Sequence, residues 1–414
     1  MQEGFLKDVK VLDLTDEKGF LCGKILGDLG ADVIKIEPPG GTPSRNIGPF
    51  YKDIPHPEKS LYWYAYNANK RGITLDIETA DGREIFKRLA GKANFIIESF
   101  KVGYLDNLGI GYDALSSENP GLIMVSITPF GQTGPYKDYE ASDIVAIAMG
   151  GEMYVTGEPD RPPLRISFPQ AYLHGGITGA VASMIAHYHA GNTGEGQHVD
   201  VSICESLISF SGNAAPFWYM LKENLTRQGS FRAGTAGKSI TRLLWPCKDG
   251  HVSFTVMGTP AGARSNLKLM DLMDEHGMAD QLKSFNWDGF DRRTANQETQ
   301  TYVEEAVAPF IASMTKKELL EAAVKKGIML LPVYTPAELL DYVQLKERGY
   351  WEEVDHPELG RSITYPGAFI KSSEMDCSIR RRAPLIGEHN KEIYTGELGF
   401  SGQDLAMLKE AGVI

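Results

Sequence analysis

Cysteine is scarce in this 414-residue chain. Four residues, Cys22, Cys204, Cys247 and Cys377, stand far apart, and no CxxC pair exists. That spacing speaks against a cysteine zinc cluster or a dithiol redox motif and fits free thiols in a reducing cytosol. Positive charge is also in deficit. At a net charge of -12 there is no basic surplus to neutralise the phosphates of nucleic acid or to hold an anionic membrane. The acidity is spread along the chain and reads as a solvated surface. No run approaches the roughly 18 apolar residues of a membrane helix. The start, MQEGFLKDVKVLDL, has no charged-then-apolar signal segment. A cytoplasmic location, with neither nucleic acid nor membrane as partner, is the expectation.

Apolar residues make up 42% and charged residues 23% of the chain, values of an ordinary globular protein. Its length suits two lobes. The first third alternates strand and helix patterns. Val9–Leu14 and Ala31–Glu37 read as buried strands, and Gly19–Leu29 between them reads as a helix. Further strands are expected at Gly72–Ile77, Asn94–Phe100 and Leu122–Thr128, with a helix over Asp81–Ala93. Strands joined by crossover helices imply an α/β fold with a parallel sheet covered on both faces. A ligand is then expected at the carboxyl ends of the strands. Ile177–His189 reads as a buried, alanine-rich helix, and residues 216–240 lose periodicity like a linker. Leu243–Thr255 suggests a hairpin turning at Lys248-Asp249-Gly250, and residues 258–330 are mostly helical in pattern.

Several segments, in order along nearly the whole chain, resemble the class III CoA-transferases, the family of formyl-CoA transferase and carnitine CoA-transferase. They are GADVIKIE at Gly30–Glu37, NKRGITLD at Asn69–Asp76, Glu98-Ser99-Phe100, FGQTGPY at Phe130–Tyr136, TGEGQ at Thr193–Gln197, VDVS at Val199–Ser202 and APLIGEH at Ala383–His389. The resemblance implies a large Rossmann-like domain over 1–215, completed by about 385–414. It also implies a smaller α/β domain over 229–335, hung on linkers at 216–228 and 336–384. Two such chains would interlock as rings. The implied reaction moves CoA from an acyl-CoA to a free carboxylate, with the thioester as substrate and no metal or organic cofactor. An aspartate serves as covalent nucleophile, giving a mixed anhydride and CoA thiolate, and backbone N–H groups stabilise the oxyanion.

The family aspartate falls on Tyr172, four residues before Gly176 and about twenty before TGEGQ. No aspartate or glutamate lies between Arg165 and Gly194, so a small shift of register does not restore one. A tyrosine hydroxyl, with an ordinary pKa near 10, is mostly un-ionised at neutral pH. His174 is a candidate nucleophile or base, or else a residue packed at a helix start. Gln170 is a candidate donor to a thioester oxygen, or else structural. The acyl-CoA racemases of the family use a His/Asp pair. Here those positions fall near Ser142 and on Tyr172. The resemblance implies CoA contacts at Leu75, Ser99 and Phe100, the last of which could also be core, while Lys101 and Lys137 are candidate phosphate partners or else plain surface charges. Lys70 and Arg71 are further candidates for phosphate. Gly234, Thr235 and Gly237 match the glycine-rich flap, or form a linker. Relatives often carry arginine where Asn107 stands and lysine where Glu78 stands. These departures imply a silent subunit of a heteromer whose homologous partner bears the aspartate. The Pro169-Gln170-Ala171-Tyr172 segment is similar to the E-type subunits of two-chain enzymes that pass CoA from succinyl-CoA to benzylsuccinate. The alternatives are a self-sufficient transferase or isomerase with another nucleophile, and a CoA-binding scaffold without chemistry.

Overall fold

The structure, a computed structural model, describes residues 4–210, 214–233, 239–256, 260–287, 289–290 and 295–414. It divides into two compact units. The larger comprises Met1–Met153, Ile166–Leu221 and Gln344–Ile414, and the smaller comprises Tyr154–Arg165 and Lys222–Val343.

The larger unit is built on a sheet of six strands: β1 (Lys10–Leu14), β2 (Asp32–Glu37), β3 (Lys70–Thr74), β4 (Phe95–Glu98), β5 (Ile123–Thr128) and β6 (His198–Ser202). All are parallel, in the order β3-β2-β1-β4-β5-β6. Side chains alternate across the sheet, so each strand feeds two cores. On β4, Ile96 joins one core with Leu12, Ile34 and Met124, while Phe95 and Ile97 join the other with Val11, Val33 and Val125. This double burial explains the apolar positions of β1, β2 and β5, among which the charged Asp13, Lys35 and Glu37 are also buried.

One face is covered by helices Phe20–Asp28 and Ala171–Thr193. The 23-residue helix Ala171–Thr193 packs tightly because it carries glycine where it meets its neighbours. A Cβ on Gly176 would come within 2.9 Å of Leu21 Cβ, and one on Gly179 within 2.9 Å of Ile127 Cδ1. The helix is longer than the expected Ile177–His189, and it is not buried all round. Ile177, Val181, Ile185 and Tyr188 form an exposed apolar stripe along it, reaching 78% exposure at Tyr188. The C-terminal segment is stitched to β3. The His389 N–H donates to the Gly72 carbonyl at 2.9 Å, and the Gly72 N–H donates to His389 Nδ1 at 3.0 Å.

The smaller unit holds a short antiparallel pair, β7 (Phe231–Ala233) and β8 (Ile240–Arg242), and a three-stranded antiparallel sheet. The sheet contains β9 (Leu244–Cys247), β10 (Gly250–Phe254) and β11 (Leu330–Val333). The pair β9–β10 is the expected hairpin, with Gly250 opposite Cys247. Helices Pro260–Glu275, Gln297–Ser313 and Lys316–Lys326 pack a core around Trp245, Val252, Phe254 and Phe310. The start of 216–240, where lost periodicity suggests a linker, belongs to the helix Ala214–Leu221. Among the described residues no helix is long and apolar enough to cross a membrane.

Candidate active site

The strand order reverses between β1 and β4, so the loops leaving their carboxyl ends diverge and leave a crevice. A cavity of about 550 Å3 opens there, lined by Asp16, Glu17 and Lys18 after β1, Ser99–Val102 after β4, Thr128 and Pro129 after β5, Lys137–Ser142, and Tyr172. The two central loops are tied together. Ser99 Oγ accepts the Asp16 N–H at 2.8 Å and donates to Asp16 Oδ1 at 2.8 Å. Lys18 pairs with the same carboxylate. Lys101 pairs with Glu140 across exposed surface, which holds the ammonium pKa up and the carboxyl pKa down.

Five of the residues singled out in the sequence, Ser99, Phe100, Lys101, Lys137 and Tyr172, meet around this cavity. Leu75 does not. It sits in the core beside Ile73 and Tyr394, 2% exposed. Lys70 and Arg71 cannot meet a phosphate, because both are buried in ion pairs: Lys70 with Asp13, and Arg71 with Asp32, Glu392 and Glu397. Glu78 accepts a hydrogen bond from the Tyr104 hydroxyl at 2.8 Å. Gly234, Thr235 and Gly237 lie outside the described residues.

Tyr172 is the second residue of the long helix and is 9% exposed. Burial, followed by the charges of Glu17, Asp16 and Asp143, pushes its phenol pKa above the usual value. The phenol therefore stays protonated at neutral pH. Its hydroxyl donates to the Ala141 carbonyl at 3.4 Å, and its backbone N–H donates to Asp143 Oδ1 at 3.3 Å. Asp143, 7% exposed, begins the helix Asp143–Met149. Its carboxylate thus sits at the positive end of the long helix, where a helix dipole favours negative charge. Gln170 caps the same helix by position and turns its amide back to the Pro169 carbonyl. The His174 N–H closes the first helical turn on the Gln170 carbonyl at 3.0 Å. Neither Gln170 nor His174 lines the cavity.

Two motif fragments far apart in sequence meet beside the site. The Gln132 N–H in FGQTG donates to both oxygens of Asp200 in VDVS, at 3.0 and 2.9 Å. Gly131 turns at φ +86°, a conformation that glycine adopts without strain. In TGEGQ, Gly196 is obligatory for another reason: a Cβ there would lie 1.9 Å from the Leu122 carbonyl oxygen. Much of what makes the sequence recognisable is therefore backbone scaffolding.

The model for "CoA-transferase family III" matches residues 6–390. The chain belongs to this family. Members of CoA-transferase family III move CoA between an acyl-CoA and a carboxylate. The chain is 34% identical over 408 residues to a succinyl-CoA:(R)-benzylsuccinate CoA-transferase subunit, BbsE, of Thauera aromatica, covering 98% of this chain and 97% of that protein. It is 32% identical over 412 residues to a succinyl-CoA–D-citramalate CoA-transferase of Chloroflexus aurantiacus, covering 99% and 98%. A CAIB/BAIF family protein from Brucella suis superposes with a TM-score of 0.80 at 28% identity, over 96% of this chain and 100% of that one. The α/β architecture with its six-stranded parallel sheet is thus the architecture of the family.

The functional residues missed in the sequence are Glu140, which lines the cavity, and Asp143, which holds the Tyr172 N–H; neither carries a motif spacing. The rule that ligands sit beyond strand ends points to Asp16 and Lys18 but does not reach the segment 137–143.

Proposed function

We propose that this chain is the silent subunit of a two-chain class III CoA-transferase. Succinyl-CoA is the donor and a carboxylate of the benzylsuccinate type the acceptor. The observation that carries the reading is the helix start at Tyr172. A neutral, buried phenol occupies the position at which the family reading requires an aspartate, and no carboxylate follows before Glu195. The nucleophile then comes from a homologous partner. Its aspartate attacks the thioester carbon and CoA thiolate leaves, the acceptor carboxylate exchanges onto the anhydride with release of succinate, and CoA thiolate then attacks the acceptor's carbonyl, giving the new acyl-CoA and free aspartate. The likeness to a benzylsuccinate CoA-transferase subunit supports the choice of substrates. The exposed stripe Ile177, Val181, Ile185 and Tyr188 offers a partner chain an apolar face. We read 216–228 and 336–384 as the segments that let two such chains interlock around 229–335. The cavity at the β1/β4 crevice is the proposed CoA site, with Ser99 and Phe100 toward the adenosine end and Lys101 and Lys137 toward phosphate.

A second reading is favoured by one feature: Glu17 lines the cavity and is a carboxylate within the chain itself. The test separates the two. The purified chain, free of homologues, is incubated with succinyl-CoA and a panel of carboxylates including benzylsuccinate, and new acyl-CoA is followed by chromatography. The silent-subunit reading expects no product until an aspartate-bearing homologue is added. Turnover by the chain alone overturns it, and loss of that turnover in Glu17→Gln would identify the substitute nucleophile.

A further inference from the structure

Glu98 ends β4 and is 6% exposed. Its Oε2 accepts the Phe100 N–H at 2.7 Å. Ser126, its register partner on β5, is a neutral neighbour that favours the ionised carboxyl. Ser126 Oγ lies 2.8 Å from His198 Nε2, and the His198 ring stacks on Tyr112 at the protein surface. These groups border a second cavity of about 120 Å3, and Lys101 lines both this cavity and the larger one. Among the described residues no lysine or arginine pairs with Glu98.

We propose that Glu98 is a positioning residue for the turn 99–102. It holds the Phe100 amide, so that the charge on this buried carboxyl sets the wall of the larger cavity. The inference rests on the reading of that cavity as the CoA site. A carboxylate is a stronger acceptor for the Phe100 N–H than a carboxylic acid, so the turn is held more firmly once Glu98 is ionised. Burial pushes Glu98 up to about 7, and the bonds from Ser126 and Phe100 work against that rise. The charged groups facing it are Asp16 beyond β1, Lys101, Asp106 on helix Tyr104–Asn107, Asp113 on helix Tyr112–Glu118, and His198 on β6. The two aspartates that act on it, Asp106 and Asp16, add to the rise.

The test measures free CoA binding by calorimetry between pH 6 and 8 on the full chain, as wild type, Glu98→Gln and Ser126→Ala. The ratio of wild-type to Glu98→Gln affinity cancels the titration of the CoA phosphate itself. That ratio is expected to rise about threefold with pH, as an ionised acceptor strengthens its bond. Ser126→Ala, which removes a bond favouring the carboxylate, is expected to move the midpoint to higher pH. Parallel profiles for wild type and Glu98→Gln overturn the proposal. Hydrogen exchange at the Phe100 amide needs no ligand. Its protection factor should rise on the order of tenfold from pH 6 to 8 in wild type and stay level in Glu98→Gln. Equal protection in both proteins overturns the proposal. Failure of every variant to bind CoA counts against the CoA site alone, and the exchange experiment still decides the role of Glu98.

Discussion

Asp13 and Glu98 are buried carboxylates on adjacent strands, yet they sit in opposite electrostatic surroundings. β1 pairs with β4 so that Leu14 lies opposite Glu98, and alternation puts Asp13 and Glu98 on opposite faces of the sheet. Burial alone would raise both. Around Asp13 the rise is reversed by Lys35 at 3.1 Å and Lys70 at 2.7 Å, with Thr15 donating twice, and the carboxyl is held down to about 2. Lys70 is itself lowered to about 8, because burial and Lys35 outweigh the one carboxylate it faces. Around Glu98 no lysine or arginine among the described residues is paired with the carboxyl to reverse the rise, and only a serine and one backbone N–H work against it. Two lysines on one face make a fixed structural charge, while neutral donors on the other leave a carboxyl that titrates near neutrality.

The sharpest way to break this comparison is to remove a cation from the first face. Lys70→Met should destabilise the larger unit by about 3–5 kcal/mol, because it strips a partner from a buried ion network. Urea unfolding at pH 7 reads this. The acid sensitivity should change as well. Asp13 is depressed in the folded state, so its stabilisation is present above the unfolded value of about 3.9 and is lost as pH falls toward 2. That loss is expected to be about 2–3 kcal/mol in the wild type and clearly smaller in Lys70→Met.

Glu98 predicts the opposite slope. Its folded pKa of about 7 exceeds the unfolded value of about 4.3, so the native state binds the extra proton between those limits. Stability from this group therefore falls as pH rises from about 4.5 to 7, by on the order of 3 kcal/mol. Glu98→Gln should remove that slope. Its unfolding free energy should match wild type near pH 4.5 and exceed it at pH 8. A wild type whose stability is level across this window would contradict the contrast.

These two carboxylates also mark the limit of what the sequence discloses. β1, β2 and β5 are legible from their apolar positions, whereas the buried charges Asp13 and Lys35 among them are explained only by their pairing. β3 was expected at Gly72–Ile77 and stands at Lys70–Thr74. Lys70 and Arg71 read as exposed charges, and only their partners on β1, on β2 and near the C-terminus make a buried strand of them. Ile177–His189 reads as a buried helix because it is alanine-rich and apolar, and that composition does not say which face lacks a cover. At the site, Ser99, Phe100 and Tyr172 come from the family resemblance, and Lys101 and Lys137 from their charge as candidate phosphate partners. Glu98 stood in the same motif without comment, since its partner Ser126 lies 28 residues away in the chain and only the β4–β5 register brings them together.

A milder probe lies at the strand ends between the two faces. Ser99→Ala removes both hydrogen bonds to Asp16 and should cost about 1 kcal/mol, read by thermal unfolding. CoA binding should weaken with it, because the β1 and β4 loops would no longer be tied at the mouth of the crevice.

The smallest effect on stability is expected at Lys101, although it lines both cavities. Its bond to Glu140 joins two side chains that are 78% and 75% exposed, and water and salt screen such a pair. Lys101→Ala should therefore leave the urea midpoint where it is, whereas Lys70→Met moves it strongly. Binding should reverse that ranking for the part of the ligand that carries charge. If Lys101 meets a CoA phosphate, the substitution weakens binding at low ionic strength, and the difference from wild type shrinks as salt rises. Calorimetry at two salt concentrations reads both quantities. A variant that binds CoA as tightly as wild type at low salt would leave Lys101 as the surface partner of Glu140 and move the phosphate contact to Lys137.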